Sequence, residues 1–220
     1  LKKKTKKLNN AIVINNAVNT TYINQVKIKP KENRDMLVFG YIGTLTAYEG
    51  IEFLIETFQE LYDEGIRNKL LIYGKGVNVE SVKKTILKRA DIQTIQYKGA
   101  VSPNEIHKAF NEIDVIVNPR LSTPLTNSVT PLKPLEAMAY EKLFLGSDVD
   151  GIKELIQGDN GFLFKAESKE KLKIEIVKII NLSHYERNQH LSSALQYVQD
   201  YKSWVANTKK YNKIYKTVTT

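Results

Sequence analysis

The chain has 220 residues, with 33 Lys and Arg against 24 Asp and Glu. Its 42% hydrophobic and 26% charged residues are the balance of an ordinary globular protein, long enough to bury one sizeable core or two small ones. No cysteine is present, which excludes a disulfide framework, a thiolate metal site and a cysteine nucleophile and fits an intracellular chain; apolar runs as short as Ala11-Ile12-Val13-Ile14 exclude a bilayer span.

In chain order, residues 10–15 form a short β-branched run ending in Asn15-Asn16. Residues 36–42 (MLVFGYI) read as a buried strand closed by Gly43. Ile51, Leu54, Ile55, Phe58 and Leu61 recur at helical spacing, predicting an amphipathic helix that ends near Gly65. Residues 69–73 (KLLIY) predict a strand before Gly74-Lys75-Gly76, and Val79, Val82, Ile86 and Leu87 predict the next helix. A short strand at 94–97 runs to Gly99. Ser102 with Glu105 three residues on has the pattern of a capping box, with Pro103 at the first helical position of a helix carrying Ile106, Ala109 and Phe110. A strand at 114–118 closes at Pro119, and 120–130 reads as irregular. A helix from Pro131, a strand at 143–147, a turn and short helix over 148–156, and a last strand at 162–164 follow. Helices near 168–181, 184–199 and 203–217 complete the chain. Strand and helix alternating with short links imply an α/β fold, a Rossmann-like parallel sheet with helices on both faces. Its ligand site is then expected beyond the carboxyl ends of the strands, which gathers Gly43, Thr44, Gly74, Val101, Arg120 and Ser147 along one edge.

The loop at 119–132 and the helix after it carry the most chemical information. Ser128, Val129 and Thr130 precede a helix start, where unpaired amides and partial positive charge suit a phosphate. Lys133 adds a full positive charge at that end, against the helix dipole, which suggests an anionic ligand. Glu136 lies in the first or second turn, within reach of sugar hydroxyls beside a bound diphosphate. A capped helix with a surface lysine and glutamate is the equally weighted structural alternative. Gly74-Lys75-Gly76 is not a P-loop, since no GKS or GKT follows, and reads more simply as a strand end. His107, His184 and His190 lack metal-ligand spacing, and Asp148 with Asp150 has no further carboxylates, so no metal site is expected. Trp204, Tyr211 and Tyr215 share one helix face, most simply a packing stripe.

Charge is concentrated at the start: residues 1–34 carry nine basic residues against Glu32 alone, while the other 186 carry 24 basic and 23 acidic. A second stretch, 202–216, has five lysines and no acid. Solvated lysine is the plain reading and attraction to anionic headgroups the functional one. No helix-turn-helix, zinc or aromatic-stacking motif accompanies the charge, so nucleic acid is not an expected partner.

Several segments together resemble the C-terminal, donor-binding half of GT-B retaining glycosyltransferases of family 4 (group 1). These are residues 12–19 (IVINNAVN), 38–45 (VFGYIGTL) with Glu49-Gly50, 70–76 (LLIYGKG), Gly99-Ala100-Val101, 114–119 (DVIVNP), 134–139 (PLEAMA), 151–156 and 161–164. The resemblance implies a nucleotide-sugar site for a UDP- or GDP-linked donor, used without metal or other cofactor. It implies that Glu136 holds the ribose hydroxyls. Gly43, Thr44, Arg120, Asn127, Ser128, Val129, Thr130 and Lys133 are expected at the diphosphate and sugar, and Gly74 and Val101 near the base. Retaining transfer would pass through an oxocarbenium-like centre, with amides and cations stabilising the departing diphosphate. Three positions depart from the family pattern: Ser128 where its first glutamate stands, and Thr44 and Glu49 in place of an arginine and a lysine. Lys133 and Arg120 are expected to replace those cations. The start of the first helix (YEG) and residues 130–136 (TPLKPLE) resemble a subgroup tied to exopolysaccharide synthesis.

The implied organisation is a basic leading segment at 1–34 from a missing N-terminal acceptor domain, a nucleotide-sugar-binding domain at 35–200, and a C-terminal helix at 201–220 that packs back on the missing domain with part of its aromatic face exposed here. Starting at Leu1, the chain reads as a piece of something longer, inactive by itself. The complete enzyme is expected in the cytoplasm, peripheral at the inner face of the cell membrane, transferring a sugar to a cell-surface polysaccharide or glycolipid. A sugar-nucleotide epimerase and a degenerate, non-catalytic scaffold domain are the alternative readings.

Overall fold

The computed structural model describes residues 12–26 and 36–218. In chain order the elements are α1 (Thr20–Val26), β1 (Val38–Thr44), α2 (Ile51–Asp63), β2 (Lys69–Lys75), α3 (Val79–Leu87), β3 (Ile95–Gly99), α4 (Ile106–Glu112) and β4 (Val115–Asn118). Then come α5 (Pro124–Ser128), α6 (Lys133–Ala139), β5 (Leu143–Ser147), α7 (Asp150–Lys153), β6 (Phe162–Phe164), α8 (Lys169–Ile180), α9 (His184–Tyr201) and α10 (Trp204–Val218). Six parallel strands lie in the order β3-β2-β1-β4-β5-β6, the α/β Rossmann-like architecture expected of the alternating pattern. The order reverses direction between β1 and β4, the place where ligands bind at the carboxyl edge of such sheets.

The inner strands read as near-continuous apolar runs because both faces of the sheet are covered there, whereas the edge strand β3 (IQYKG) alternates buried and exposed residues. Phe39, Tyr41, Leu70 and Ile72 face α2, α3 and α8, while Val38, Ile42, Leu71 and Tyr73 face the side closed by α4, α6 and α9. Gly40 is required where β1 passes Ile113, whose side chain fills the space of a Cβ. Asp114 holds the start of β1 by accepting the Val38 amide at 2.8 Å.

Several expectations are corrected. Residues 12–17 form no strand, and residues 10 and 11 of that run lie outside the described residues, as do 1–9 and 27–34 of the basic leading segment. Instead Val18 bridges to Ser203: its amide donates to Lys202 O at 2.9 Å and its carbonyl accepts from the Trp204 amide at 3.1 Å. Two helices not foreseen are α1 and α5. The latter is capped by Thr123 and Thr126, each side chain accepting the other's backbone amide, with Pro124 in the first turn. At Ser102 the expected box does not form; the hydroxyl meets the Glu105 carboxylate at 3.1 Å and a 3-10 turn, Pro103–Glu105, leads into α4. On α10, Trp204, Tyr211 and Tyr215 are exposed, as the sequence led one to expect of part of that face. No helix among the described residues is long and apolar enough to cross a membrane.

Candidate nucleotide-sugar site

Three segments far apart in sequence meet at the carboxyl ends of β1 and β4. After β1 a 3-10 turn, Ala47–Glu49, ends at Gly50, whose left-handed backbone (φ 72°) and close approach to the Pro119 carbonyl leave no room for a side chain. That turn delivers Glu49 beneath the chain leaving β4. There its Oε1 accepts from Arg120 Nη2 at 3.0 Å, and its Oε2 forms an ion pair with Lys133 Nζ at 2.8 Å. Arg120 Nη1 also donates to Val129 O at 3.3 Å. Lys133 Nζ is 2.9 Å from the Tyr41 hydroxyl, which donates onward to Thr44 O at 2.7 Å. The lysine stem crosses Gly43 so closely that a Cβ there would collide with Lys133 Cε.

Two cations and one carboxylate leave this cluster with a single net positive charge. Burial alone would raise the Glu49 pKa, but Lys133 and Arg120 together hold it below the ordinary carboxylate value, so Glu49 is ionised. Burial and the neighbouring Glu49 push the Tyr41 phenol well above its ordinary range, which keeps it a neutral donor. The anion set against Lys133 is therefore, in this structure, a side chain of the same protein.

One turn beyond Lys133, Glu136 opens on a cleft of about 320 Å³. Its walls come from Val18, Tyr22 and Ile23 of the leading segment, Pro103, Ile106 and Phe110 around α4, and Leu132 and Tyr140 of the α6 region. Phe110 and Tyr140 stack with ring centroids 4.1 Å apart. Among the described residues the Glu136 carboxylate has no hydrogen-bond partner, and burial raises its pKa against the opposing pull of Lys133. A carboxylate open on both oxygens, in a groove walled by rings and aliphatic groups, suits a ligand with an apolar or aromatic body and vicinal hydroxyls.

The remaining candidates are distributed differently. Asn127 is engaged by the start of α7, its Oδ1 accepting the Asp150 amide at 3.0 Å and its Nδ2 donating to Ser122 Oγ at 3.2 Å. Ser128 turns inward on its own helix, donating to Pro124 O at 2.6 Å. Thr130 donates to the Glu154 carboxylate. Thr44 is exposed, its carbonyl taken by Tyr41. Gly74 is buried between strands, against the Gly43 carbonyl, and accepts the Tyr97 hydroxyl at 2.9 Å. Val101 is half-buried against the core just before Pro103 and Ile106. Glu49, Tyr41, Tyr22 and the Phe110–Tyr140 stack escaped sequence reasoning as site residues. Glu49 stood out only as an acid in place of a family lysine; nothing local shows that it meets residues 71 and 84 positions away.

The family profile described as Glycosyl transferases group 1 matches residues 23–196. An uncharacterized glycosyltransferase of Methanocaldococcus jannaschii, MJ1069, is 27% identical over 194 residues, which is 86% of this chain and 47% of that protein. The capsular polysaccharide biosynthesis glycosyltransferase CapM of Staphylococcus aureus is 25% identical over 150 residues, 67% of this chain and 37% of CapM. The chain thus spans less than half the length of these curated relatives. Among solved structures, Anabaena HepE in complex with UDP and glucose superposes with a TM-score of 0.75 at 16% identity, over 92% of this chain and 55% of that one. With the profile covering most of the sheet and the whole of the carboxyl edge, the chain belongs to the group 1 glycosyl transferases.

Proposed function

We propose that the cleft beside α6 binds the nucleoside diphosphate of a sugar donor, and that the chain is the donor-binding half of a retaining glycosyltransferase. The observation that carries this reading is the Glu136 carboxylate, half-buried at an apolar cleft, without a hydrogen-bond partner among the described residues and one turn from Lys133. The Glu136 oxygens take the ribose hydroxyls, the rings of Tyr22, Phe110 and Tyr140 flank the nucleoside, and the net positive charge beside Gly43 faces the phosphates. HepE, which shares the fold, is described in complex with UDP and glucose, which supports a nucleotide sugar as the ligand class. CapM, named for capsular polysaccharide biosynthesis, supports a polysaccharide or glycolipid acceptor bound by a further domain. The basic stretches fit a working position against an anionic membrane surface.

Calorimetric titration with UDP, GDP and ADP tests the reading. One diphosphate is expected to bind with Kd on the order of 10 μM to 1 mM, and Glu136→Ala to weaken it tenfold or more, roughly 1.4 kcal/mol. Absence of heat with all three, from a sample that melts cooperatively, would overturn it in favour of a scaffold domain.

A further inference from the structure

At the carboxyl edge Glu49 is buried away from any ligand. Its side chain is 3% exposed and its two oxygens are occupied, one by Arg120 and one by Lys133. Lys133 differs: its side chain is 18% exposed, and its ammonium meets Glu49 at 2.8 Å and the Tyr41 hydroxyl at 2.9 Å. An ammonium has three N–H donors, so at least one remains for a group arriving beside the cleft. The ring of Tyr41 lies 4.8 Å from Nζ and limits where the ammonium can move.

The charged and titratable groups facing Lys133 come from four places. Arg120 follows β4, Tyr41 is in β1, Glu136 is one turn along the same helix, and Glu49 precedes α2. Burial and Arg120 both favour the neutral amine, while Glu49 and, more weakly, Glu136 favour the ammonium. Glu49 alone of these acids is in contact.

We propose that Glu49 is a positioning residue that fixes the Lys133 ammonium one turn from Glu136 and keeps it protonated there, so that Lys133 can take a phosphate oxygen of the ligand. The phosphate in this assignment rests on the donor-site reading above, whereas the hold of Glu49 on Lys133 is independent of it. A carboxylate between two cations also leaves the Glu49–Arg120–Lys133 cluster with one net positive charge, at its lysine end, because Arg120 is turned toward Glu49 and Val129.

Two measurements test this on the full chain. In the first, NMR of ¹³C-labelled lysine follows the Cε shift of Lys133 with pH, the resonance being assigned by its loss in Lys133→Met. Glu49→Gln is expected to lower the Lys133 titration midpoint by about one pH unit or more, since the only contacting counter-charge is gone. An unchanged midpoint overturns the proposal, whatever the protein binds. In the second, the diphosphate that binds in calorimetry is titrated at pH 7 and pH 9 beside its nucleoside. Between those values Glu49→Gln is expected to lose more diphosphate affinity than the unmodified protein, by up to about tenfold, the limit set by one pH unit of lysine titration, with nucleoside affinity unchanged in both. If Lys133→Met binds diphosphate as tightly as the unmodified protein, the phosphate contact is overturned. If no diphosphate binds the unmodified protein, the donor-site reading fails and the phosphate contact with it, and the NMR midpoint still decides the role of Glu49. Should Glu49→Gln not melt cooperatively, Glu49→Gln/Arg120→Gln removes the buried like-charge pair and carries the same two readouts. A midpoint equal to that of Arg120→Gln alone overturns the proposal there.

Discussion

Glu49 and Glu136 are both carboxylates sunk into the carboxyl edge of the sheet, and their surroundings push them in opposite directions. Glu136 has burial with no contacting cation, so its pKa is raised on folding. Its ionisation then costs stability once pH exceeds the ordinary carboxylate range, and the cost is absent below that range. Glu136→Gln is accordingly expected to raise Tm at pH 7, with the gain vanishing toward pH 4, as followed by thermal melting across that interval. Glu49 is held low by Arg120 and Lys133, so it stabilises the fold above the ordinary carboxylate range and loses that contribution as pH falls through its depressed value. Glu49→Gln leaves two buried cations unneutralised and is expected to cost about 3 kcal/mol at pH 7 in urea unfolding. The difference from the unmodified protein narrows in acid. Glu136 could be found from sequence because its position follows from one short motif in a helix. Glu49 could not, because its role exists only where residues 49, 120 and 133 meet.

Among the elements, the strands were legible as apolar runs closed by glycine or proline, but which residue faces which side was not. When both faces are buried the alternation carries no hydropathy signal, and only the helices packed on each side decide it. The loop after β4 was read as irregular because its Ser, Thr and Pro content resembles a turn; Thr123-Pro124 with Thr126 was nevertheless a helix-start signal, and α5 uses it. Its placement depends on α7, where Gly151 lies flat against the carbonyls of Val129 and Thr126. Gly151→Ala would force these apart, at an expected cost of about 1–3 kcal/mol in urea unfolding. At the start of α9 the Ser183 hydroxyl accepts the Glu186 amide at 3.2 Å while Glu186 accepts the Ser183 amide at 2.8 Å. Ser183→Ala is expected to cost about 1 kcal/mol by the same measurement.

Across the whole molecule, the parallel sheet and the position of its ligand edge followed from the order of elements, whereas the cleft did not. One of its walls is α1 with the chain before it, a part of the sequence whose composition spoke only of charge and of β-branched residues. The charge itself is lopsided, since residues 1–34 carry nine basic residues and one acid. Co-sedimentation with vesicles is expected to show binding to phosphatidylserine-containing bilayers and not to phosphatidylcholine alone. Removal of residues 1–7, with five lysines, is expected to weaken that binding by up to about 1 kcal/mol for each lysine. Higher ionic strength would weaken it further.

The bridge between Val18 and Ser203 works as a clasp. The cleft wall formed by Val18, Tyr22 and Ile23 is fastened through the junction of α9 and α10, because the Val18 amide and carbonyl are held by Lys202 and Trp204. Whatever loosens that junction unfastens one side of the cleft, and whatever fills the cleft draws the junction shut. The amides of Val18 and Trp204 should therefore exchange with deuterium as one unit, and occupation of the cleft should slow both together.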